Sequence, residues 1–468
     1  MASDKPQPSP RKILVAGGSG FIGSRLIKKL AADIQHHHHH HHQPQSRDEI
    51  LCLTRDPEFI KDMFDEDVRL VKADVSNYED IARVMSEQID IAYYLVHSME
   101  GTTKQWKKFS GRDRAAAINF AKAASEYGVK RIIYLGGLIH ADHADDDKLS
   151  EHMRSRKEVG EILQQHSSSE VTIFRAAVIL GQGGGSFQML QYLVERLPVM
   201  VCPRWVLTKC QPIAVDDVVQ YLALCIEAKE TEGKTFDIGG PDVLTYLDMM
   251  RKYAKILNKS LQVIIIPFLT PRLSSYWVDL VTPVRASLAR PLIDSLKHDA
   301  TVEDDSVRQV IPIQLKSFEE AILTARNDKA QIKQSNRHLK ERSTPKVNSK
   351  LLMLSLLAMA AIGSTYYIID GRPEIYNTNW IILHTLWYLG IAFAIYFLRY
   401  GARLGALTAG LLGLLTLTLC LIDNFYILRG TPIIASSPDA TITIRNFIVA
   451  GVAVLVIATS HNMFHKLR

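Results

Sequence analysis

The chain has 468 residues, enough for two or three domains. Its net charge of +6 is too mild to imply a nucleic-acid partner, and none is expected. Its five cysteines are scattered, with no C-x-x-C pair, which argues against a disulfide framework or a zinc cluster and favours a reducing compartment for the soluble part.

The opening MASDKPQPSPRK is polar and runs straight into an apolar segment, so no secretory signal is expected. Short apolar runs then follow at 13–17 (ILVAG), 50–54, 68–72, 91–96, 130–136 and 171–175. Amphipathic helical stretches separate them at 22–33, 78–88, 106–127 and 149–166. Apolar strands alternating with helices predict a parallel sheet covered on both faces, a Rossmann-like doubly wound α/β domain over 12–180. Between the first helix and the second strand lies QHHHHHHHQPQSR, either a solvated loop or a loose metal-chelating tract. Residues 181–326, opening with GQGGGS, are less regular and form a smaller lobe completing the fold. A basic linker over 327–350 precedes a far more apolar region, and its position favours an anionic lipid surface over a nucleic acid.

The mean hydropathy of +0.01 averages two unlike parts. Beyond Lys350, over 351–468, four runs at about 351–369, 379–398, 404–422 and 444–461 approach the roughly 20 residues of a bilayer-crossing helix. An all-α membrane domain of four spans is expected, in contact with the lipid bilayer. Basic residues before the first run, at Arg399 and Arg403 and at Lys466 and Arg468 place the soluble domain and the C-terminus on the cytoplasmic side. His384 lies within the second run and Asp423 near the outer end of the third, and His384 reads as a partner in a bond between helices.

The chemistry begins at AGGSGFIG. Gly17, Gly20 and Gly23 follow a strand and open a helix, the context in which glycines let a backbone turn grip a pyrophosphate. Gly18, Ser19, Phe21 and Ile22 complete that turn. At the end of the second strand, CLTRDP offers Arg55, either a plain surface arginine or a partner for a ribose 2′-phosphate; NADP is therefore preferred, with NAD as the other candidate. Asp74 and Val75 follow the third strand, where an adenine ring is held or where an aspartate simply caps a helix. Val96 and His97 follow the fourth strand and border the expected nicotinamide position, His97 being either structural or reactive. After the fifth strand stand Gly136 and Gly137, where a dehydrogenase usually has its serine.

The glycine turn, TRDP, YYLVHSM, VKRIIYLGGL and HMRSRKEVGEIL together resemble the atypical short-chain dehydrogenase/reductase superfamily, nearest its NmrA-like NAD(P)-binding branch. The resemblance runs over about residues 12–326, through LVERLPVMVCPRWVLTKCQPIAVDDVVQYL and FDIGGPDVLTY, and leaves the apolar region uncovered. It implies a nicotinamide dinucleotide as ligand. The superfamily's Tyr-x-x-x-Lys pair is replaced by His152 and Arg156 in the best register. Arg156 can bind ribose hydroxyls but cannot shuttle a proton, whereas an imidazole can. His152, Arg156 and His97 are therefore the candidate reactive residues, unless the first two merely line an inert cleft. Two readings remain open at this level. One is a membrane-anchored oxidoreductase or isomerase acting on an apolar, quinone- or isoprenoid-like molecule. The other is a catalytically inactive NADP(H) sensor or scaffold of a membrane complex.

Overall fold

The computed structural model describes residues 10–39, 48–97, 106–139, 149–197, 199–266, 278, 292–296, 298–339, 349–369, 378–399, 403–428 and 440–466. The polyhistidine tract beyond His39, Ser98, Met99 and the linker from Lys340 to Asn348 lie outside these residues. One compact unit carries the sheet and the lobe together and ends at Ser335; the apolar helices belong to a second.

Strands β1 (Lys12–Ala16), β2 (Glu49–Thr54), β3 (Val68–Lys72), β4 (Ile91–Tyr94), β5 (Arg131–Gly137) and β6 (Glu170–Ala176) match the predicted apolar runs to within two residues. A seventh, Thr235–Ile238, pairs parallel with β6 at the sheet's edge. The order across the sheet is β3-β2-β1-β4-β5-β6 and then that edge strand, every described pairing parallel. Buried side chains line both faces: Ile13, Val15 and Tyr93 pack on one, Leu14, Ala16 and Tyr94 on the other. Alternate residues of one strand point to opposite faces, so a strand buried on both reads as an unbroken apolar run. The chain order reverses between β1 and β4. Ligands of open α/β sheets sit in the crevice outside the strand ends at such a switch point.

Helices α1 (Gly23–His39), α2 (Pro57–Ile60), α3 (Tyr78–Met85), α4 (Trp106–Glu126) and α5 (Glu151–His166) connect these strands. Three begin on a side-chain cap. Asp56 accepts from the Phe59 amide, Asn77 from that of Glu79 and Ser150 from that of Met153. Two expectations need correction. Helix α1 runs past residue 33 through His39, because nothing in KKLAADIQHHHH breaks a helix. The basic linker begins as helix, since Phe318–Leu339 is one segment of good helix formers without Gly or Pro.

The apolar region forms helices Ser349–Ile369, Thr378–Arg399, Arg403–Leu428 and Ala440–Lys466. Among the described residues, three stretches are long and apolar enough to cross a membrane: Ile381–Arg399, Arg403–Ile422 and Ile444–Phe464. The expected first span lies on the helix Ser349–Ile369, whose described apolar stretch is Lys350–Ser364. The bundle is tied by polar pairs between helices, Trp387 Nε1 donating to Thr416 (3.0 Å) and Asn446 to Asn424 (3.1 Å). His384 lies edge-on to Trp387 of its own helix. Leu386 and Phe447 are 60% and 64% exposed, a surface that suits lipid and not water.

Candidate functional site

The glycine turn sits where β1 ends and α1 begins. Gly17 has φ +89°, a conformation that side chains rarely adopt, and a Cβ there would stand 2.7 Å from the carbonyl of Leu95 at the end of β4. The Gly20 amide closes the turn on the Gly17 carbonyl (3.0 Å). At Gly23, the first residue of α1, a Cβ would collide with that same carbonyl. The turn is thus pulled tight against the sheet, with the N-terminus of a 17-residue helix beginning beside it.

Above the strand ends lies a cavity of about 440 Å³. Gly17, Gly20, Phe21, Ile22 and Gly23 line one end. Leu95, His97, His152, Met153 and Arg156 line another part of its wall. The lobe contributes Cys210, Tyr246, Leu292 and Leu296, and most of the lining is apolar. Residues 183–186 of the GQGGGS loop join the wall, held against the turn by Arg25, which donates to the Phe21 carbonyl (2.9 Å) and the Gln182 carbonyl (2.7 Å). Gly18 and Ser19 belong to the turn but not to the wall; Gly18 packs on Cys52.

Arg55 is exposed just beyond β2, away from that wall. Asp74 follows the neighbouring β3, near enough for Arg55 to favour its ionised form. The Asp74 carboxylate also accepts from the Ser76 amide (2.9 Å) and hydroxyl (2.8 Å), which are the main cause of its depressed pKa. Val75 and Val96 are half-buried against the core on the α4 face of the sheet. These four residues therefore stand at the strand ends but outside the cavity.

The predicted reactive residues do come together. His152 and Arg156, one turn apart on α5, share a face with Met153 against the end of β5. His97 Nε2 lies 3.2 Å from His152 Nδ1. Arg156 donates to the Leu135 carbonyl and lies over the Tyr134 ring at 5.4 Å, so one of its donors is spent on the sheet. Gly137 lets the Met153 thioether close on the strand, where a Cβ would meet its methyl at 2.7 Å. Burial lowers the pKa of both histidines, with the positive Arg156 adding to it, and His152 falls furthest. The cavity's thiol is inert, since burial pushes Cys210 up to about 12.

Sequence reasoning missed Asp113. This buried carboxylate of α4 lies 3.4 Å from His97 Nδ1. It occupies the apolar stripe formed by Ala116, Ala117, Phe120 and Ala124, and a charged residue at a stripe position was the signal that could have revealed it.

A parallel sheet, a glycine turn at its switch point and a helix N-terminus above it define a dinucleotide-binding fold. Residues 17–191 match the NAD(P)H-binding family model, and this part of the chain is an NAD(P)H-binding domain. The auxiliary protein GraX of Staphylococcus aureus is 30% identical over 128 residues, which is 27% of this chain and 36% of GraX, so the match spans about a third of that relative. Among solved structures, an epimerase from Methanothermobacter thermautotrophicus superposes with a TM-score of 0.53 at 15% identity, covering 72% of this chain and 95% of the epimerase. The triphenylmethane reductase of a Citrobacter species, complexed with NADP(H), gives 0.52 at 15% identity, covering 67% and 99%. These structures belong with the short-chain dehydrogenase and epimerase fold, the architecture found here.

Proposed function

We propose that the chain is a membrane-anchored, NADP(H)-dependent oxidoreductase that interconverts a carbonyl and a hydroxyl, or reduces a quinone, in a mostly apolar substrate. One observation carries this reading: the cavity that begins at the glycine turn also holds two half-buried imidazoles and is otherwise largely apolar. The nucleotide supplies hydride chemistry when bound. Gly17, Gly20 and the N-terminus of α1 would hold its diphosphate, and Arg156 has donors left for a ribose hydroxyl. Arg55 would meet a 2′-phosphate, and the Citrobacter reductase binds NADP(H). His152 takes the place of the usual tyrosine as the group that exchanges a proton with the substrate oxygen. The three apolar helices would keep the domain at a bilayer in which such substrates dissolve, and the basic residues flanking them favour a cytoplasmic active site.

The test uses the full chain in detergent, with NADPH and a panel of quinones and aromatic ketones. Loss of NADPH absorbance should accompany conversion of at least one acceptor, and His152→Phe should cut turnover on the order of 100-fold while leaving NADPH binding in place. Tight NADPH binding with no acceptor turned over would reject the enzyme reading and leave a nucleotide sensor.

A further inference from the structure

We infer that Asp113, His97 and His152 form a single proton relay, in which Asp113 fixes the ring tautomers and His152 Nε2 is the end that meets the substrate. This rests on the oxidoreductase reading above and extends it to residues on three separate elements.

The tautomers follow from donor and acceptor counting. A carboxylate only accepts, so the 3.4 Å contact to Asp113 requires the proton of neutral His97 to sit on Nδ1. His97 Nε2 is then an acceptor. The 3.2 Å contact to His152 Nδ1 must be made by a proton on that nitrogen. The resting pair is therefore neutral and its outward nitrogen, His152 Nε2, carries a lone pair. That is the form of a general base.

In the oxidative direction the substrate hydroxyl gives its proton to His152 Nε2 while its carbon gives a hydride to the nicotinamide, forming the carbonyl and the reduced nucleotide. The His152 Nδ1 proton moves to His97 Nε2. The positive charge thus comes to rest on His97, where the Asp113 carboxylate faces it, and His152 returns to neutrality. Reduction is the reverse of each step. Placing the charge one ring away from the substrate also moves it closer to its counter-ion. The groups facing the pair are Asp113 from α4 and Arg156 from α5 itself; the first favours the charged relay and the second opposes it.

Two measurements on the full chain test this separately from the function. Exchange of the imidazole C2 hydrogen, followed by peptide mass spectrometry, gives a titration curve for each histidine without any substrate. Burial lowers the His97 pKa and Asp113 partly restores it, so Asp113→Asn should move the His97 curve to still lower pH and Asp113→Glu should largely return it. An unchanged His97 curve in Asp113→Asn would overturn the relay, whether or not the protein turns over. With an accepted substrate, Asp113→Asn should lower kcat on the order of 100-fold with KM nearly unchanged. It should also move the acid limb of the oxidative pH profile in the same direction as the exchange curve. A loss confined to KM, or a profile that does not move, would reduce Asp113 to a packing residue. Failure of wild-type protein to bind NADPH in calorimetry would overturn the functional reading while the exchange result still decided the relay.

Discussion

Two single-methyl substitutions in the glycine turn separate folding from nucleotide binding. Gly17→Ala asks an L-residue to hold φ +89°, which costs about 1–2 kcal/mol. The new Cβ would also lie 2.7 Å from the Leu95 carbonyl carbon and oxygen. Those are backbone atoms continuing β4 at the centre of the sheet, so no side chain can swing aside, and overpacking of this kind costs about 1–3 kcal/mol. The sum is roughly 3 kcal/mol of lost stability before any ligand is added. Gly20→Ala differs. Its Cβ would meet only the Gly17 carbonyl, at 3.1 Å, and its φ is not in the left-handed region, so a penalty under about 1 kcal/mol is expected. Yet Gly20 faces the cavity, where a methyl would hold the diphosphate off the amides. The assay is thermal unfolding by tryptophan fluorescence, run with and without NADPH. Wild type should melt higher when NADPH is present at many times its Kd, the gain being about 2.7 kcal/mol at 100 Kd. Gly17→Ala should melt lower in both conditions. Gly20→Ala should melt near wild type alone and lose most of the nucleotide-dependent rise. If Gly20→Ala kept the full rise, this turn would not be where the diphosphate binds.

Arg55→Ala should weaken NADPH about 10- to 100-fold and leave NADH nearly unchanged, the loss of a charged hydrogen bond being worth about 1.5–3 kcal/mol; equal losses in calorimetry would refute the 2′-phosphate role. In the oxidative direction, wild-type turnover should be flat above pH 7 and fall only well below it, because the base form of the histidine pair is required and burial has lowered both pKa values; a midpoint at or above the ordinary histidine value would contradict that. Outside the site, burial pushes the Asp217 carboxyl from 3.8 up to about 6, so its ionisation costs stability as pH rises through that window and the penalty is complete above it. Asp217→Asn, which can still accept from the Lys316 amide, should therefore stabilise the sheet-bearing unit by about 3 kcal/mol at neutral pH and give little gain near pH 4, as judged by denaturant unfolding.

The sheet was legible because parallel strands buried on both faces leave nearly continuous apolar runs, as in Ile50–Leu53 and Ile132–Leu135. The edge strand Thr235–Ile238 escaped notice: it is four residues long, with one exposed position and Asp237 in its middle, neutralised by Arg175 at 2.7 Å. The cofactor turn was legible because glycine spacing, strand and helix all agreed. The relay was legible only in pieces. His97 and His152 could each be singled out, but 55 residues separate them, and only the β1–β4–β5 order and the packing of α5 bring their rings to 3.2 Å. Asp113 was hidden by the assumption that a charge on a helix belongs to its wet face.

Burial explains why a histidine pair can stand in for the standard catalytic set. With Gly137 and Met153 where a serine hydroxyl would stand, the end of β5 offers no side-chain donor to a substrate oxygen. A tyrosine in the position of His152 would need a nearby cation to lower its pKa into a useful range, and Arg156, committed in part to the Leu135 carbonyl, is the cation present. An imidazole in that cavity needs the opposite help. It is already neutral and basic at physiological pH, and what it lacks is a place to put positive charge once a proton arrives. His97 and Asp113 provide that place one ring away from the substrate, where the charge rests against its counter-ion. On this argument His97→Gln, which keeps a hydrogen-bonding partner for His152 but cannot accept the charge, should cost nearly as much turnover as His152→Phe. Its survival at close to the wild-type rate would show that His152 works alone.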